Sequence, residues 1–204
     1  MKLFGPLYAR ALVWSRSPRA PMFLFLLSIF EAVFFPVAPE VMLGPMCLSQ
    51  PRRGFWFALL SLLGSMIGAL IGYALGHYAF DLLRPTLTSM GWIEHIDGQV
   101  QYLRGLAAQS PWKTFWVLVL AGFAPIPLKF FTWASGIVGI PILPFMASMT
   151  IGRGKRVFAV ALLIRLGGER AEAALRRYIE PIGWGVLVLI AAAIGYLVWR
   201  SQSA

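Results

Sequence analysis

Two of the four long apolar stretches in this sequence are interrupted at their centres by prolines standing beside ionisable residues, and this restricts the folds open to the chain. The stretches are residues 22–49, 55–80, 114–149 and 181–199. The second and fourth carry no formally charged residue and meet the requirement of about 20 apolar residues for a helix crossing a bilayer. The first contains Glu31, Pro36, Pro39 and Glu40, and the third contains Pro125, Pro127 and Lys129. Proline removes a backbone donor and clashes with the preceding turn, so neither of these is one straight spanning helix. At membrane depth a broken backbone is tolerated only where the freed groups are buried in protein or line a polar cavity, which predicts two re-entrant hairpins. The expected fold is an all-α integral membrane protein of two inverted repeats. Each repeat has a proline-broken hairpin plus a transmembrane helix, and a C-terminal transmembrane helix follows. Residues 1–21 form a basic N-terminal segment, 22–168 the membrane domain, and 169–204 an amphipathic helix and the last span. The polar linker 81–113 separates the halves and reads as an amphipathic segment at the outer surface.

Composition supports this reading. The chain is 59% hydrophobic and 13% charged, against roughly 45–50% and about 25% in a soluble domain. A net charge of +10 would suggest nucleic acid as the partner of a soluble protein. Here the basic residues flank apolar stretches, where they set topology and meet anionic headgroups, so no nucleic-acid partner is expected. The hairpin topology places the N-terminal cations, Arg52, Arg53 and the cations from Arg153 to Arg177 on one side, leaving Arg84, Arg104, Lys113 and Arg200 opposite. By the positive-inside rule the N-terminus is cytoplasmic in a multi-pass inner-membrane protein. Segment 1–21 is broken by prolines and no small-residue cleavage pattern follows the first apolar run, so no removable signal peptide is expected. Cys47 is the only cysteine, so no intrachain disulfide, Cys/His metal cluster or cysteine redox pair is expected, and neither is a cofactor.

Glu31 and Glu40 lie in apolar sequence, where a carboxylate must be neutral, paired or in a wet cavity. Pro36 and Pro39 can fold their two limbs so that both carboxyls face one cavity, and a carboxyl that exchanges a proton near neutral pH is what a proton-coupled carrier needs. Alternatively, each caps a freed backbone end or pairs with a cation for structure. Lys129 mirrors them in the second half; it binds a phosphate, pairs with a glutamate, or snorkels to the interface. Arg153, Lys155 and Arg156, with Gly152 and Gly154 among them, offer an anionic headgroup both charge and close backbone approach, or act as a topological stop signal; the spacing is not that of a phosphate loop. Gly64, Gly68, Gly72 and Gly76 recur every four residues and give one smooth helix face for packing, which also admits a homo-oligomer, or for a sliding lipid chain. His77 and His95 are isolated, no catalytic grouping stands out, and the chain is not expected to be an enzyme.

These residues resemble those of the DedA family of bacterial inner-membrane proteins, which share the VTT domain, and look closest to a YqaA-like branch. The resemblance covers residues 25–168. It rests on the acidic motif from Glu31 through Pro36 and Pro39 to Glu40, the glycine-rich span ending at Gly76, and the second motif from Phe123 through Pro125, Pro127, Lys129 and Thr132 to Gly136. It implies two inverted re-entrant hairpins and movement of phospholipid or undecaprenyl phosphate between leaflets, dependent on the proton motive force and on embedded acidic and basic residues. Many members carry two arginines around the second motif, where this chain offers Lys129, with Gly122 and Ala124 nearby. The expected function is thus a flippase or scramblase whose partners are anionic lipids and protons. Glu31 and Glu40 would titrate, and Lys129, Arg153, Lys155 and Arg156 would attract the headgroup. A non-transporting scaffold or chaperone and a proton-coupled small-solute transporter remain as alternatives.

Overall fold

The computed structural model describes residues 13–34, 38–89, 91–123 and 128–168. These residues are all-α: α1 (Ala20–Val33), α2 (Glu40–Ser49), a 3-10 turn (Pro51–Arg53), α3 (Gly54–Tyr78), α4 (Phe80–Ser89), α5 (Ile93–Gln109), α6 (Pro111–Phe123), α7 (Leu128–Val138) and α8 (142–168). The order short helix, short helix, long helix therefore occurs twice, as α1–α2–α3 and α6–α7–α8. Pro39 is the N-cap of α2, its φ of −62° already that of a helix. Pro36, Pro125 and Pro127 lie outside the described residues, as do the segment 1–12 and residues 169–204 with the expected amphipathic helix and C-terminal span. Between α7 and α8, Gly139 takes φ +74° and the Ile140 N–H returns to the Ser135 carbonyl at 3.0 Å, closing α7 with a left-handed cap before Pro141.

Helix α3 is the central member. Its N-terminal half packs on α1: a Cβ at Gly64 would lie 2.5 Å from the Phe25 carbonyl oxygen, and one at Gly68 would strike the Ile29 carbonyl. Ser28 and Ser61 join the same two helices at 2.9 Å. Contacts on both helices advance together, so α1 runs parallel to α3. Helix α8 runs antiparallel to it, with Phe55 against Phe158, Met66 against Thr150 and Tyr73 against Phe145. Helix α6 lies along α8 through Gly122 and Gly152 and shares that helix's direction. The first helix pair thus enters from the N-terminal end of α3 and the second from its C-terminal end.

The four-residue glycine series does not serve one partner helix. Gly64 and Gly68 receive α1, whereas a Cβ at Gly72 would lie 2.6 Å from Thr132 Oγ1 and one at Gly76 would strike the Trp133 carbonyl, both on α7. These approaches fill the face completely and leave no groove for a lipid chain along it. The linker is helical and amphipathic. It folds into α4 and α5, hinged at Gly91 with φ +68°, and α5 buries Ile96, Val100 and Leu103 at helical spacing while packing on α7.

Polarity is partly inverted relative to a water-soluble bundle. Buried inside are Ser28, Ser61, Ser65, Thr132, Ser135, Ser148, Lys129 and Arg153, while Leu63, Ile67, Ile71, Leu143, Leu162 and Leu163 are exposed. Among the described residues, the run Pro51–Tyr78 is the one helix long and apolar enough to cross a membrane.

Since a side chain at Gly76 must displace α7 backbone, Gly76→Ala is expected to destabilise by about 1–3 kcal/mol, the usual cost of overpacking. At Gly98, an exposed position in α5 where a Cβ meets nothing within 4 Å, Gly98→Ala is expected to be neutral or stabilising. Thermal unfolding of the two variants in detergent, followed by circular dichroism, checks the contrast; equal midpoints would contradict the packing described.

Candidate functional site

The carboxylates of the first helix pair meet the arginines of α8. Glu31, in the last turn of α1, accepts a hydrogen bond from Arg153 Nη2. Glu40, the first residue of α2, is held on both oxygens by Arg156: Nη2 donates to Oε2 at 3.0 Å, and Nε lies 2.8 Å from Oε1 as an ion-pair contact without hydrogen-bond alignment. Arg153 and Arg156 are three residues apart and therefore share a face of α8, which lets one helix take both carboxylates across the proline-containing break.

The two pairs differ in environment. Arg153 is 1% exposed and Glu31 13%, whereas Arg156 and Glu40 retain 21% and 16%. A guanidinium carries five N–H donors in a rigid fork. In Arg153 one nitrogen is engaged by Glu31, while Nε and Nη1 are buried and meet no hydrogen-bond partner among the described residues. The buried hydroxyls of Ser65 and Ser135 are also unmet there. Leaving such donors without acceptors is costly in a low-dielectric interior, so Arg153 presents an unfilled demand for an acceptor.

Lys129 is placed elsewhere. Its Nζ donates to the Phe34 carbonyl at 3.3 Å and sits 3.9 Å from the centre of the Trp92 ring. One turn further along α7, Trp133 Nε1 donates to the Val33 carbonyl at 3.2 Å. Together they satisfy the last carbonyls of α1, and the ammonium complements the negative end of that helix dipole. Lys155 is exposed on the outer side of α8. The four cations expected to attract one headgroup therefore separate: Arg153 and Arg156 pair with the glutamates, Lys129 caps α1 and Lys155 faces outward. The separation follows from one helix running through the 152–156 cluster, which fans successive side chains by about 100° each.

Trp92 and Trp133 were not singled out by sequence reasoning. Trp133 lies within the second motif, but nothing in its spacing says that an indole there reaches α1. Trp92 lies in the polar linker and carries no sequence signal for covering Lys129. His77, which contacts the Gly136 carbonyl through Nδ1 at 3.0 Å, belongs to the α3–α7 contact. Among the described residues no group of His, Cys, Asp and Glu could hold a metal ion.

Removing one partner of a buried ion pair leaves a charge without its counterion, typically costing about 3–5 kcal/mol, whereas an apolar replacement of both is often neutral. Arg153→Met is therefore expected to unfold at markedly lower temperature than the Arg153→Met, Glu31→Leu double variant. Unfolding midpoints of the two singles and the double check this; additive losses would show that the pair is not coupled.

Two curated proteins are similar to the chain over nearly its whole length. One is an "Uncharacterized protein" of Haemophilus influenzae, 39% identical over 98% of this chain and 100% of its own. The other is the "Uncharacterized protein HI0703 homolog" of Histophilus somni, 37% identical over 98% of this chain and 100% of its own. No protein-family model and no solved structure matches the chain.

Proposed function

The chain belongs to the same family as these Haemophilus influenzae and Histophilus somni proteins, and we propose that it is a multi-pass inner-membrane lipid translocase of the DedA type. The observation that carries this reading is Arg153, buried in a bundle with extensive exposed apolar surface and holding two donors without acceptors among the described residues. Ionisable groups at such a depth mark substrate and proton pathways by default. In this reading the bilayer is the solvent that makes the exposed leucines and isoleucines of α3 and α8 favourable. Helices of 10 to 14 residues such as α1, α2, α6 and α7 reach at most about 21 Å and are too short to cross it alone. Their entry from opposite ends of α3 supports two inverted re-entrant hairpins.

The cation set differs from that of the resembling family in an instructive way. Gly122 packs on α8, where a Cβ would lie 3.3 Å from Gly152 Cα and 3.4 Å from Arg153 N. A side chain at 122 would press on the α8 backbone, and Arg153 supplies the guanidinium from the facing helix instead. Glu31 then alternates between holding Arg153 and, when protonated, releasing it to an anionic headgroup whose hydrocarbon tail remains in the lipid. Glu40 and Arg156 form the second pair of the same polar track.

A scaffold reading is favoured by one observation: both carboxylates already have arginine partners, and Lys129 already has a carbonyl and a ring. The two readings diverge in liposomes holding purified protein, with labelled phospholipid or undecaprenyl phosphate and with or without a pH gradient. Translocation predicts protein-dependent movement of one lipid, responsive to the gradient and strongly reduced in Glu31→Gln and Glu40→Gln. Folded, inserted protein that moves neither lipid faster than empty liposomes would overturn it in favour of a scaffold.

A further inference from the structure

An apolar cavity lies apart from the polar cluster, toward the C-terminal end of α3. It measures about 210 Å³ and sits where the C-terminal end of α5 and the start of α6 face the α7–α8 turn. Its walls include Ala107, Pro111, Phe115, Leu118, Ile140 and Pro144. Thr114 contributes the wall's one side-chain hydroxyl, and that group is already donated to the Ser110 carbonyl at 3.1 Å. This predominantly apolar lining, in a cleft partly open to the surface, favours a hydrocarbon occupant over a polar one.

The surroundings identify the occupant. Phe115, a wall residue, belongs to an aromatic triad: it stacks on Trp112 at 5.7 Å between ring centroids and meets Trp116 edge-on at 5.6 Å. Trp112 is 67% exposed, and Lys113 follows it in an exposed position. Exposed tryptophans beside a lysine at a helix start are the anchors found at the level of lipid headgroups. Ile142 and Leu143, next to the wall residues Pro141 and Pro144, are also exposed, so the surface beside the cavity is hydrocarbon-compatible. We propose that this cavity is a binding site for one acyl chain of a bilayer lipid, which enters beneath the Trp112–Phe115–Trp116 triad and fills the space between α5, α6 and the α7–α8 turn. The assignment rests on the membrane reading above but not on translocation, since neither glutamate and neither arginine of the polar cluster takes part. It gives the second hairpin a lipid as part of its packing.

The test uses full-length protein in phosphatidylcholine vesicles containing phosphatidylglycerol with a photoactivatable diazirine in mid-chain, followed by mass spectrometry of tryptic peptides. Peptides 114–129 and 130–153, which carry the walls, are expected to be labelled several-fold more than 157–165, which carries the exposed Leu162 and Leu163 without a cavity. Ala107→Trp and Val138→Phe fill the cavity from different sides. Each is expected to remove that excess while leaving 157–165 labelled, which also reports that the variant is inserted. Even labelling of all three peptides in inserted protein, or an excess that survives both variants, overturns the acyl-chain site alone. Release of the protein from vesicles by alkaline carbonate overturns the membrane reading and the site with it.

Discussion

Two carboxylates in apolar sequence cannot remain unpaired, and the way this chain pairs them organises much of the rest. Glu31 and Glu40 sit on either side of the first break, and both find arginines on one face of α8. To reach them, α8 must run back along α3 and bring its 153–156 turn beside the ends of α1 and α2. That requirement ties the last described helix to the first and makes the two halves one structure.

Close backbone approach makes the pairing geometrically available. Without side chains at Gly64 and Gly68, α1 lies directly on α3; without them at Gly72 and Gly76, α7 does the same further along; Gly122 and Gly152 bring α6 onto α8. Each contact removes space that a side chain would hold and lets long residues on neighbouring helices meet near the centre. Lys129 and Trp133 then reach across from α7 to the carbonyls that end α1. The carbonyls at the end of α1 are thus met by donors from the second half.

The cluster and the apolar cavity divide the molecule chemically. The cluster sets the Arg153 guanidinium, two of whose donors meet no acceptor among the described residues, against the Glu31 carboxylate. The other site is lined mainly by apolar residues and is bordered by aromatics. If the translocase and acyl-chain proposals both hold, one fold uses a lipid in two capacities: its headgroup at Arg153 and its tail in the pocket beneath Trp112. The physical basis is the same in both, since a bilayer supplies apolar surface without limit and makes every buried polar group conspicuous.

Much of the fold was legible in one dimension. The interrupted apolar stretches located the ends of α1 and α6 near their proline pairs, although Pro45 lies within α2 without ending it, and they marked Glu31, Glu40 and Lys129 as exceptional. Glycines every four residues announced close packing. The sequence left open which partner each of these residues takes. Lys129 and Arg153 are both cations near glycines and apolar residues, yet one caps a helix and the other pairs with a carboxylate. The four glycines look like one face, yet two receive α1 and two receive α7. Spacing along a helix determines which side a residue occupies, and the sequence determined that much. What stands opposite depends on the directions and crossing of helices far apart in the chain, and only the tertiary structure decided it.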